Sequence, residues 1–158
     1  MDGSAPQPEI SIQTEDFDIA AESRRLTAGK TDIGAVASFT GLVRGSDETT
    51  RAMKLEHYPG MTERALSAIA AEASSRWPLQ GIRIIHRVGR LLPGEQIVLV
   101  LTASRHRAAA FEAAHFIMDY LKTRAPFWKR EETPEGARWV DARDSDDHAA
   151  ARWETDPA

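Results

Sequence analysis

Four cations, Lys122, Arg124, Lys129 and Arg130, fall within nine residues of a chain whose formal net charge is −4. They flank Pro126 in the run M-D-Y-L-K-T-R-A-P-F-W-K-R-E (118–131). Proline cannot continue a helix comfortably, and it pushes the preceding residue, Ala125, toward extended geometry. The run therefore predicts a helix ending near Arg124 and a strand starting at Phe127. That reversal can aim the ammonium groups of Lys122 and Lys129 at one spot, and concentrated positive charge on an acidic protein points to an anionic ligand. At about 100° per residue, Ala110, Phe111, Ala114, Ile117, Met118 and Leu121 share one apolar face, with Lys122 at its edge. A half-buried lysine is suited to proton transfer or nucleophilic work, with snorkelling to solvent as the competing outcome. The plainer alternative for the whole run is a solvated face, because helix dipoles favour cations near C-termini.

A second group of cations, Ser104-Arg105-His106-Arg107, sits where a buried strand gives way to the long helix. Free N–H groups at a helix N-terminus bind anions, whereas cations there oppose the dipole unless something negative is near. Pairing with Glu112 or with the acidic C-terminal end is the structural alternative. The five histidines do not suggest a metal site: His106 and His115 fall on different helix faces, and His57, His86 and His148 stand isolated. No metal is expected, and no cofactor. Phe127-Trp128 beside Lys129-Arg130 resembles an aromatic-basic nucleic-acid surface, but strand alternation sends one of the two rings to the core. With no cysteine in the chain, disulfides, thiolate metal sites and cysteine nucleophiles are all excluded, so any sulfur chemistry must use sulfur carried by something else.

The elements that must position these groups follow from pattern. Residues 1–9 read as a flexible tail, 10–153 as a single domain and 154–158 as a second tail. Ile10–Gln13 reads as an edge strand, and Asp16 as the cap of a helix through Leu26 that Gly29 ends. Ile33–Val43 is strand-like, with Gly34 and Gly41 marking bulges or close backbone approach. A polar loop, 45–51, leads to a strand over Ala52–Tyr58. Thr62 precedes a helix over Glu63–Arg76, and strands follow at Ile82–Val88 and Gln96–Thr102, joined by the connector G-R-L-L-P-G-E. The long helix covers His106–Arg124. Phe127–Glu132 and Ala137–Asp141 flank T-P-E-G as a hairpin, and Trp153 can pin part of the acidic end. The order suggests α+β, with helices packed on a mostly antiparallel sheet, in the manner of a ferredoxin-like fold.

Composition narrows the function classes. Hydrophobic residues make up 42% and charged residues 28% of the 158, ordinary for a globular protein. There is no apolar run of membrane-spanning length and no signal-peptide pattern, so the cytoplasm is the expected location. A pI near 5.7 gives no global basic footprint for nucleic acid.

Taken together, F-T-G-L-V-R (39–44), L-E-H-Y-P-G-M-T (55–62), I-H-R-V-G (85–89), S-R-H-R-A-A-A-F (104–111), residues 118–131 and P-E-G-A-R-W-V (134–140) closely resemble the large, catalytic subunit family of molybdopterin synthase. The resemblance runs from Ile33 to Arg143. It implies an α/β hammerhead-type fold and the transfer of two sulfurs to cyclic pyranopterin monophosphate. It also implies a donor, the C-terminal thiocarboxylate of a small ubiquitin-like carrier subunit, and a homodimer of large subunits at the core of a heterotetramer. By the same resemblance Lys122 and Lys129 match the family's active-site lysines. Arg44, His106 and Arg107 match its anion-binding positions, some of them coming from the opposite subunit, and Arg143 is a further substrate-binding match. The rival functions are a non-catalytic module that binds a phosphorylated metabolite, and an RNA-binding α+β domain.

Overall fold

The computed structural model describes residues 6–45, 51–140 and 144–154. In chain order the elements are β1 (Glu9–Gln13), α1 (Ile19–Thr27), β2 (Ala35–Leu42), β3 (Ala52–His57), α2 (Met61–Arg76), β4 (Leu79–Arg87), β5 (Gly89–Leu91), β6 (Gln96–Ser104), α3 (Arg107–Arg124), β7 (Phe127–Thr133), β8 (Gly136–Val140) and α4 (Asp144–Ala151). The class is α+β and the strands are mostly antiparallel, as the pattern implies. They divide between two four-stranded sheets, ordered β1-β4-β6-β2 and β5-β3-β7-β8. Only β1 against β4 is parallel. The connector after β4 contains the short strand β5, because Gly89 adopts φ 92° and turns the chain from the first sheet to the second.

Local signals account for most boundaries. The predicted bulge at Gly41 appears as a register shift between Gly41 and Leu42. The cap of α1 is Asp18 rather than Asp16, its side chain accepting from the Ala21 N–H. Asp16 instead accepts from the Phe17 N–H and the Gln96 amide, which ties the approach to α1 onto β6.

The main core lies between the first sheet and helices α2, α3 and α4, with Leu66, Ile82, Ile84, Val100, Phe116, Ile117 and Tyr120 at its centre. A smaller cluster under α1 covers the other face of that sheet, and Val43, Met53, Leu55 and Leu91 fill a third cluster where the second sheet joins. Five residues of the predicted α3 stripe, Ala110, Ala114, Ile117, Met118 and Leu121, are buried, while Phe111 is 65% exposed. Ala113, Phe116 and Tyr120 are buried as well and widen the arc. Helix α4, which sequence patterning missed, packs on the widened side. It brings Trp153 edge-on to Phe116 and Trp77, and Trp153 Nε1–H donates to Asp119 at 2.6 Å. Trp153 thus pins the C-terminal end, as expected. Among the described residues no helix is long and apolar enough to cross a membrane.

Gly34 is needed for close approach, since a Cβ there would overlap the Arg105 carbonyl oxygen. Backbone atoms cannot yield as a flexible side chain can, so Gly34→Ala is expected to lose about 1–3 kcal/mol of stability. Urea unfolding measures this, and an unchanged midpoint would mean the contact is relieved without cost.

Candidate functional site

Helix α3 stops where the sequence requires it. Ala125 is extended (φ −84°, ψ 129°) ahead of Pro126, and β7 begins at Phe127. The reversal is tied down by Thr62, which lies inside α2 rather than before it and is fully buried. Thr62 Oγ1 donates to the Pro126 carbonyl at 3.0 Å and accepts from the Tyr58 N–H at 2.9 Å. The end of β3, the start of α2 and the α3–β7 reversal therefore share one hydroxyl.

Pairing of β7 with β3 sets Lys129 opposite Leu55 and Phe127 opposite His57. Alternation turns Trp128 outward, 46% exposed, while Phe127 packs inward, so one ring of the pair is core as predicted. Phe127 stacks on His86 of β4, with ring centroids 3.9 Å apart and planes 19° from parallel. The His86 ring is 5% exposed and its Nδ1 lies 2.8 Å from the Arg87 carbonyl oxygen. A carbonyl can only accept, so Nδ1 carries the proton. Burial, reinforced by the charges of Lys122, Lys129 and His57, pushes His86 down to about 3 and outweighs the backbone hydrogen bond. The ring is neutral at any ordinary pH.

Four groups from four elements thus gather at the reversal: Lys122 (α3), Lys129 (β7), His57 (β3) and His86 (β4). The two histidines are not isolated, as sequence spacing suggested; sheet pairing across distant segments brings them together. The apolar strand around His86 (I-R-I-I-H-R, 82–87) carried the signal for its burial. Lys122 is exposed rather than half-buried, and has no hydrogen-bond or ion-pair partner among the described residues. Lys129 is half-buried.

The remaining candidates divide. Exposed Arg44 follows Val43, which is buried in the cluster that Phe127 and Leu55 join, so it leaves the fold at the lysine end. His106 is the N-cap of α3, without a side-chain cap bond, and Arg107 is its first residue; both are exposed. They lie at the opposite end of the helix from Lys122. Fifteen residues at 1.5 Å each put Arg107 about 22 Å away along the axis. Neighbouring Arg105 faces Asp32 at 3.9 Å, not Glu112, which accepts from the Trp77 indole. Arg143 lies outside the described residues. Among those described, no cluster of three His, Asp or Glu side chains could hold a metal ion.

Amines beside a buried neutral imidazole have the chemistry to bind an anion and to move a proton next to it. A family model described as MoaE protein matches residues 12–124. The molybdopterin synthase catalytic subunit of Mesorhizobium japonicum is 56% identical, over 94% of each chain. That of Pseudomonas aeruginosa is 57% identical, over 92% of this chain and 98% of its own length. Among solved structures, the MoaE protein of Burkholderia ambifaria superposes with a TM-score of 0.81 at 57% identity, covering 94% of this chain and 99% of that one. Molybdopterin synthase from Staphylococcus aureus gives 0.75 at 30% identity, covering 87% and 99%. The chain belongs to the MoaE family, the catalytic subunits of molybdopterin synthase.

The depressed value of His86 has a consequence for acid stability. Unfolded, this histidine takes up its proton near 6.5; folded, it does so only near 3. Its contribution to stability is fully present above 6.5 and is lost as pH falls from there toward 3. His86→Phe keeps an aromatic stack and removes the titration. Between about pH 7 and pH 4 its urea midpoint should therefore fall less than that of wild type. Equal falls would show that His86 protonation does not drive the acid limb.

Proposed function

We propose that this subunit converts cyclic pyranopterin monophosphate to molybdopterin, taking two sulfurs in turn from the C-terminal thiocarboxylate of a small ubiquitin-like carrier. For each sulfur, the thiocarboxylate sulfur bonds to a pterin side-chain carbon as a C–O bond of that carbon breaks, and the freed oxygen departs as water or stays on the phosphate. Water then cleaves the acyl–sulfur bond, and the carrier leaves as its carboxylate. Lys122 moves the proton in attack and release, Lys129 orients the thiocarboxylate or the pterin side, and Arg44, His106, Arg107 and Arg143 hold the substrate's anionic groups. The observation that carries this reading is that Lys122 and Lys129 flank the α3–β7 reversal, whose Phe127 stacks on buried His86. The absence of cysteine fits a donor that brings its own sulfur. We place the enzyme in the cytoplasm.

The separation of about 22 Å between Arg107 and Lys122 bears on assembly. A separation of that size along one helix is bridged most simply when a second copy supplies Arg107 and His106 to the Lys122 site. Phe111, one turn beyond Arg107, is 65% exposed, and Phe39 and Leu42 are 41% and 58% exposed on the edge strand β2. Apolar side chains left in water at the start of α3 and along β2 fit a face that another subunit covers. A homodimer with a carrier at each outer end gives the heterotetramer.

Purified chain mixed with thiocarboxylated carrier and the cyclic precursor should yield dithiolene product, and Lys122→Ala should abolish it with fold and dimer intact. A module that only binds a phosphorylated metabolite would give no product. Lys122→Ala and Arg107→Ala chains, each inactive alone, should recover about a quarter of wild-type activity after random mixing into dimers, because each mixed dimer keeps one complete site. No recovery would place both residues in the same subunit's site.

A further inference from the structure

His86 has no part in the chemistry assigned so far, yet the lysine end is built around it. Its ring is fixed twice, by the Nδ1–H bond to the Arg87 carbonyl and by the stack on Phe127, two residues before Lys129. With Nδ1 engaged, the only other polar atom of the ring is Nε2, which in this tautomer bears a lone pair. The charged and titratable groups that bear on the ring come from each element around it: Lys122 from α3, Lys129 from β7 and His57 from β3. A fixed lone pair among ammonium groups is an acceptor for one of them, and Lys122 is without another partner among the described residues.

We propose that His86 is a positioning residue for Lys122: its neutral Nε2 accepts a hydrogen bond from the Lys122 ammonium when the carrier tail covers the site. The lysine stem is long and flexible, and ordering its head costs rotamer entropy. An acceptor already immobilised by Arg87 and Phe127 supplies a fixed seat for the amine during sulfur transfer. This rests on the assignment of Lys122 as the proton-transfer group.

The test uses 15N-histidine spectra of the full chain, alone and with thiocarboxylated carrier, which report tautomer and Nε2 hydrogen bonding directly. His86 should show protonated Nδ1 and bare Nε2. Carrier binding should shift the Nε2 resonance in wild type but not in Lys122→Met. A bare Nδ1, or the same shift in both proteins, overturns the proposal. In steady-state assays His86→Phe should lower kcat about tenfold or more with KM nearly unchanged, as for an interaction made at the reacting step. His86→Gln should recover part of that loss, since its amide oxygen can stand where Nε2 does. A glutamine variant no better than the phenylalanine variant also overturns it. If Lys122→Ala retains activity while the Nε2 shift still depends on Lys122, the contact stands and the catalytic assignment of Lys122 falls. Should His86→Phe fail to fold, the spectra of wild type and Lys122→Met decide the matter alone.

Discussion

One hydroxyl, that of Thr62, holds together the parts on which the site depends. Pro126 has no N–H to offer and its ring stops α3, so the turn into β7 cannot be held by continued helical bonding. Its carbonyl instead accepts from Thr62 Oγ1 at 3.0 Å, and that hydroxyl oxygen in turn accepts from the Tyr58 N–H at 2.9 Å. Because Thr62 is fully buried, its hydroxyl cannot turn to water instead, and leaving it unpaired costs about 1–3 kcal/mol. The hydroxyl also fixes relative position. Lys122 ends one side of the reversal and Lys129 begins the other, while α2 and β3 on the Thr62 side carry His57 into place.

Electrostatics then decides what kind of site this is. Cations drawn together on an acidic protein repel one another, and a protonated imidazole between them would add to the repulsion. Burial removes that charge, and the stack of Phe127 on the ring excludes the solvent that would restore it. The lysine end therefore keeps its positive character without a third fixed cation. At the other end of α3 the logic is reversed. Arg107 faces a helix N-terminus whose dipole is also positive, and no acid on its own helix's first turn relieves it. In the function proposed above, both ends receive negative charge from outside the chain.

Much of this was legible in the sequence because local chemistry set it. The end of α3, the start of β7, the bulge at Gly41 and the β7–β8 hairpin each follow from proline, glycine or alternation within a few residues. What the sequence hid was non-local. The split of the strands into two sheets depends on a turn at Gly89, the first of three residues that are too few to announce a strand. The gathering of His57 and His86 depends on β3 pairing with β7 across about seventy residues of chain. Helix α4 was hidden because its alanine-rich, acidic segment carries little hydrophobic periodicity. The helical wheel placed five buried residues of α3 correctly and failed at Phe111 and Lys122, which lie in solvent.

The length of α3 explains why such a helix is compatible with a compact site. A shorter helix would bring its cationic N-terminus and its lysine end together within one chain, but could not cover the nine-residue strand β6 against which it packs. Eighteen residues at 1.5 Å span about 27 Å, close to the length of that strand, so the core demand for coverage fixes the separation of the two anion-binding ends. In the function proposed above, a single subunit is thereby left with a half-site at each end of α3. Two-fold symmetry joins them onto one ligand, the N-terminal end of one α3 meeting the lysine end of the other. On this view the dimer follows from how the core is built, and the apolar residues exposed on β2 and at the start of α3 are the surface that the same geometry would bury.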